Sequence, residues 1–147
     1  MNKIPPPFIA AGNMVLFYLS TLLLPAFEFP GQTILGILIG LEGMIIIFLS
    51  INLFRKNQTT INPFKAHLTS TLITSGIYSF TRNPMYLGLS SIQVAFGIYL
   101  GAYVSILLIP AFVIYITNKQ IIYEEQILEK KFGDEYINYL KSVRRWI

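Results

Sequence analysis

Residues Gly76 to Gly88 read GIYSFTRNPMYLG, a polar stretch that turns apolar at its end. Asn83 is a favoured N-cap and Pro84 a favoured first helical residue, so a helix is expected to begin here. The chain stays hydrophobic from Met85 to Leu100, breaks at Gly101, and is hydrophobic again from Ala102 to Thr117. That pattern predicts a helical hairpin turning at Gly101, with Pro110 positioned to kink its second arm.

Outward from the hairpin, composition sets the solvent. Of 147 residues, 54% are hydrophobic and 12% charged, and the mean hydropathy is +0.59. An ordinary soluble domain carries about 25% charged residues, so a bilayer is the expected medium. Segments 8–27 and 33–54 reach the roughly 20 residues that cross a hydrocarbon core, whereas 85–100 and 102–117 are shorter and are expected to tilt or dip. The expected fold class is an all-α integral membrane protein. It has four hydrophobic helices, two spans plus the hairpin, in one domain over 1–147, with a cytoplasmic helical arm from Asn118. The first segment has three consecutive prolines and no small-residue cleavage site, so it reads as a retained anchor and not a secretory signal.

The charges orient this arrangement. Basic residues occur at Lys3, in the central loop (Arg55, Lys56, Lys65, Arg82) and in the tail (Lys119, Lys130, Lys131, Lys141, Arg144, Arg145), with none near Pro30 or Gly101. All three basic zones are therefore expected on the cytoplasmic side, with both termini. Anionic membrane lipids account for the net charge of +4, and no nucleic-acid motif is present. With no cysteine and His67 as the single imidazole, disulfide, thiolate and metal chemistry are not expected. His67 reads as a solvated loop residue.

Two features lie inside the second span. Gly36 and Gly40, with Gly43 close by, form a small-residue stripe on which another helix can pack closely. Glu42 is costly in a membrane, and such carboxylates usually face a bundle interior or a wet cavity. Gln93 and Asn52 are its candidate partners. Glu42 keeps a rival reading open, a small four-helix transporter; a purely structural membrane subunit is a third.

Site chemistry concentrates at the hairpin's start and in the tail. The N-terminus of the expected helix offers free N–H groups and a positive dipole end to an anion at the membrane interface. Tyr78 and Tyr86 add flat faces with a polar tip, and Gly88, one turn on, permits close approach of a ligand or a helix. In the tail, Leu128 and Phe132 fall within about 20° of Ile121 on a helical projection, with Glu125 near 40° on one side and Glu124 near 60° on the other. Both carboxylates thus border the buried stripe, where they suit ribose hydroxyls, an ammonium group or a sulfonium.

Taken together, LITSGIYSFTRNPMYLG (Leu72 to Gly88), Tyr123-Glu124-Glu125, Phe132-Gly133-Asp134-Glu135-Tyr136 and Val143-Arg144-Arg145 resemble the isoprenylcysteine carboxyl methyltransferase family and its relatives among phospholipid methyltransferases. The resemblance covers roughly residues 60–147 and implies an integral-membrane enzyme that transfers a methyl group from S-adenosylmethionine to a lipidic acceptor. By position it places Ser70, Thr71, Leu72, Ile73, Tyr78, Asn83, Pro84, Met85, Tyr86 and Glu124 at the cofactor. Glu125 supports Glu124, and Gly76 and Gly88 shape turns. Arg82, Tyr86 and Glu125 are the catalytic candidates, with Arg82 and Gln120 nearest the acceptor, for which the resemblance offers the carboxylate of an isoprenylcysteine-like compound as a candidate. Asn83 stands where eukaryotic members commonly have histidine, and Gln120 where an arginine would grip a substrate carboxylate.

Overall fold

A computed structural model describes residues 4–58 and 69–147. Helix α1 is Pro6–Leu23, α2 Gln32–Lys56, α3 Pro84–Leu100 and α4 Ser105–Ile116. A 3-10 turn, Gly76–Ser79, precedes α3; a π turn, Thr117–Ile121, carries α4 into α5, Ile122–Phe132, and α6 is Asp134–Ser142. The described residues are helical without a strand, as the composition predicts. Among the described residues, three helical runs are long and apolar enough to cross a membrane: α1, α2 and the continuous stretch Ser105–Phe132. Helix α3, with 17 residues, is shorter than these.

Local chemistry explains the boundaries. Helix α3 starts at Pro84 behind Asn83 and ends on Gly101, whose φ of 65° is left-handed and suited to glycine. Helix α1 stops at Leu23, four residues before the expected Phe27, because Pro25 disfavours helical geometry at Leu24, which is extended. The expected break after Thr117 does not occur: Thr-Asn-Lys-Gln contains neither glycine nor proline, and the helix passes through it as a π turn.

Helix α3 is the centre of the bundle. Helices α1 and α2 both pack on it and scarcely touch each other. Across the α2–α3 contact, a Cβ on Gly43 would lie 2.9 Å from the Gly88 carbonyl oxygen, and one on Gly88 2.7 Å from that of Gly43. The backbones therefore meet where neither chain has a side chain, so the packing role expected of Gly43 holds. Gly88 serves a helix contact and not a turn. Asn13 of α1 donates to Gln93 Oε1 on α3 at 2.8 Å, satisfying a fully buried amide.

The two ends of the bundle differ. At one, Phe27 N–H donates to the Gly101 carbonyl at 2.9 Å, Gln32 Nε2 to that of Ile98 at 2.7 Å, and the Phe27 and Tyr103 rings meet edge-on at 5.2 Å. At the other, the start of α1, the end of α2, the start of α3 and the first turn of α5 converge on a cavity.

Candidate functional site

The cavity has a volume of about 370 Å³, within the range of small-molecule sites. One wall is apolar, from Ile47, Ile51 and Phe54 of α2 and Leu89 of α3; the other carries Asn83, Tyr86, Arg82, Glu124 and Glu125. Asn83 occupies the N-cap position, but its amide does not cap α3. It donates instead to the Arg145 carbonyl at 2.9 Å. Met85 and Tyr86, which line the cavity, thus present first-turn N–H groups without a side-chain cap.

The neighbouring glutamates have opposite environments. Both lie beyond Ile116, where the apolar part of the Ser105–Phe132 run ends and charged residues begin. Glu124 Oε1 accepts from the Tyr86 hydroxyl at 2.7 Å and from Gln120 Nε2 at 2.6 Å. Its Oε2 has no protein donor among the described residues. Burial pushes the Glu124 carboxyl up to about 7, although the bonds from Gln120 and Tyr86 pull the other way. Glu125 is also raised by burial, but hydrogen bonds from Arg145 and Arg82 outweigh this and hold it below the ordinary carboxylate value. The same bond to Glu125 raises Arg145.

Around Glu125 the tail is fastened over the site. Arg145 Nη2 meets Oε2 at 2.7 Å, and Arg82 Nη2 meets Oε1 at 2.8 Å. Arg82 Nη1 donates to the carbonyls of Val143, at 2.7 Å, and Leu140, at 3.3 Å, and its backbone N–H to that of Arg144 at 3.0 Å. Thr81 Oγ1 donates to the Arg145 carbonyl at 3.2 Å. Further out, Trp146 Nε1 donates to Thr117 Oγ1 at 3.2 Å, and the Tyr139 hydroxyl to the Tyr78 carbonyl at 2.7 Å. Residues far apart in sequence are thereby closed into one wall.

Most of the residues singled out from sequence meet at this cavity. Thr71, Leu72, Ile73, Tyr78, Asn83, Met85, Tyr86 and Glu124 line it, with Arg82 and Glu125. Ser70 lies at the exposed edge, Pro84 is buried in the first turn of α3, and Gln120 sits behind Glu124. Gln120 is fully buried, and its Oε1 has no partner among the described residues. Sequence reasoning missed Pro5, Pro6 and Pro7, Tyr136 and Tyr139, which also line the cavity, and the part played by Arg145. The tyrosines are three residues apart on α6 and so share a face, a signal open to detection. Glu42 is exposed, on the opposite side of α2 from Gly40, and bonds neither Gln93 nor Asn52. The transporter reading thus lacks the interior carboxylate it requires. His67, Lys65 and Lys3 lie outside the described residues.

A membrane protein, helical without a strand among its described residues, with a pocket of this chemistry at one end of the bundle is the class that fold and cavity define. Residues 31–135 match the sequence model named phospholipid methyltransferase, and the chain belongs to that family. It is 44% identical over 63 residues to an uncharacterized protein of Haemophilus influenzae, covering 43% of this chain and all of that one. It is 37% identical over 79 residues to the protein-S-isoprenylcysteine O-methyltransferase of Schizosaccharomyces pombe, covering 54% of this chain and 32% of the yeast enzyme. The chain thus matches about a third of the yeast enzyme's length. The resemblance read from the motifs is borne out, and the chain is a membrane methyltransferase by family.

Proposed function

We propose that this protein uses S-adenosylmethionine to methylate a lipidic acceptor at the cytoplasmic face of the membrane. The observation that carries the reading is Glu124: it lines a cavity that also takes in the uncapped N-terminus of α3, and among the described residues its Oε2 has no protein donor. An amino acid joined to a nucleoside fits this pair, with ammonium or ribose donors at Glu124 and a carboxylate at the Met85 and Tyr86 N–H groups. Ser70 to Ile73, Tyr78, Asn83 and Pro84 complete the cofactor site in this reading. When bound, the cofactor supplies a methyl group already activated on a sulfonium.

The protein then has to align donor and acceptor and keep water out. Tyr86 holds Glu124 by its hydroxyl, which makes it a positioning residue as well as a surface for the ligand. Arg82 and Glu125 are proposed to act mainly as the fixed wall against which the reactants are aligned, because their polar atoms already serve the tail. Tyr86 and water are then the nearer candidates for a base, should the acceptor need one. The apolar wall suits a lipid-soluble acceptor, of which an isoprenylcysteine-like compound is one, with Gln120 behind its polar head. Cytoplasmic orientation is supported by Arg55, Lys56 and Arg82 at the cavity end and the lack of basic residues near Pro30 and Gly101.

Calorimetry with S-adenosylhomocysteine in detergent micelles is the direct test. Saturable heat whose affinity falls about tenfold in Glu124→Gln supports the reading, and no heat from monodisperse protein refutes it. Labelled donor incubated with a membrane lipid extract then identifies the acceptor by its labelled product.

A further inference from the structure

We propose that a second cavity, about 260 Å³ in volume and lying along the α2–α3 seam, is the groove that holds the acceptor's hydrocarbon chain. The role of its occupant as acceptor rests on the methyltransferase reading; the groove's preference for a single alkyl chain does not.

The two cavities occupy one line on both helices. On α2, Ile37, Gly40 and Met44 border the second cavity and Ile47, Ile51 and Phe54 the first. These residues recur at spacings of three and four and so form one face. On α3, Met85 and Leu89 border the first cavity, and Ile92, Phe96 and Tyr99 continue the same spacing along the second. From Met85 to Tyr99 the stripe is about 21 Å long at 1.5 Å per residue. It leads from the polar pocket towards the opposite end of the bundle. Ile37, Met44 and Tyr99, which border the second cavity, are each exposed, so that part of the seam is open to the bilayer.

The glycines separate helix packing from space for a ligand. A Cβ on Gly36 would lie 3.1 Å from the Ala95 carbonyl oxygen, and one on Gly43 2.9 Å from that of Gly88, so both positions are required for the close helix contact. At Gly40 an added Cβ would meet only the Ala95 Cβ, at 3.5 Å, an ordinary contact. The backbone does not need glycine there. Its missing side chain instead leaves room in the groove. Alignment with the polar cavity on the same two helix faces selects the occupant: a single alkyl or prenyl chain whose head reaches the site beside Tyr86 and Glu124.

The test uses full-length protein in phosphatidylcholine vesicles and a hexadecyl alcohol bearing a terminal photoreactive diazirine. Mass spectrometry after illumination is expected to find the label concentrated on residues 37–44 and 92–99. Gly40→Leu should lower that labelling about tenfold, the equivalent of roughly two lost methylene contacts. Ile37→Trp, which crowds the groove without touching the helix contact, should lower it too. Both variants should keep wild-type affinity for S-adenosylhomocysteine by calorimetry. Label spread equally over the outward residues Val15 and Leu19 of α1 would overturn the groove in favour of surrounding lipid. Unchanged labelling in both variants would also overturn it, as would a cross-linked second copy of the chain at these positions. Loss of homocysteine-ligand binding in the wild type would remove the methyltransferase reading and leave the label pattern to decide the groove.

Discussion

The two ends of the bundle are joined by the same helices yet are held together by different means. The Phe27–Gly101 end is closed by backbone hydrogen bonds, a glycine and aromatic contact, with no charged side chain in these contacts. The Arg82–Glu125 end is fastened by charged side chains reaching carbonyls about 60 residues away, around a cavity bordered by Glu124. One end is a fixed turn. The other fastens its tail through Glu125, while the neighbouring Glu124 Oε2 has no protein donor among the described residues, so the fastening and the proposed ligand role fall on adjacent glutamates.

Removing the fastening should have the largest effect. Glu125→Ala leaves the Arg82 guanidinium, whose side chain is 10% exposed, without its anion, and the expected cost is about 3 kcal/mol. Thermal unfolding in micelles, with limited proteolysis near Val143, would show it. A loss no greater than that of the exposed Glu129→Ala would break the contrast between the ends. At the closed end, Gly101→Val combines a left-handed φ with a collision against Phe27 backbone, for about 2 kcal/mol. That variant should melt early but, where folded, bind S-adenosylhomocysteine normally.

Glu124→Gln is expected to separate binding from stability. Affinity for S-adenosylhomocysteine should fall about tenfold, the value of a charge-assisted hydrogen bond, with no loss in melting temperature. The pH dependence sharpens this further. Glu124 titrates higher in the folded protein than in the unfolded chain, so the folded state holds the extra proton between the ordinary carboxylate value and about 7. Stability should fall as pH rises through that window and level off above it, and Glu124→Gln should flatten the slope. Glu125 is depressed, so its contribution is present above the ordinary carboxylate value and lost as pH falls through its lower folded value. Melting temperatures of the two single Gln variants against pH distinguish these windows. Smallest of all, Tyr86→Phe removes one bond to Glu124, for about 1 kcal/mol, read as weaker ligand affinity in an otherwise stable protein.

Local rules made much of this legible. Asn83-Pro84 and Gly101 marked both ends of α3 because capping and left-handed geometry depend on one or two residues. The helical projection placed Glu124 and Glu125 on the inner edge because periodicity survives within α5. Long-range and register effects were not legible. Nothing local announces that Arg145 returns to Glu125, or that Asn83 spends its amide on a carbonyl in the tail. The π turn at Thr117–Ile121 joined two elements expected to be separate. It also set Gln120, fully buried, behind Glu124.

The shortness of α3 bears on the surrounding lipid. Its 17 residues rise about 25 Å, against a hydrocarbon thickness of about 30 Å. A hydrophobic element shorter than its bilayer is accommodated by local thinning, at a fraction of a kcal/mol per ångström of mismatch. Headgroups beside the hairpin would be drawn inwards, towards the level of Asn83 and Tyr86. In the proposed reaction the membrane's own dimple would then present the acceptor's polar end to the pocket, with less need for the protein to lift it out of the leaflet.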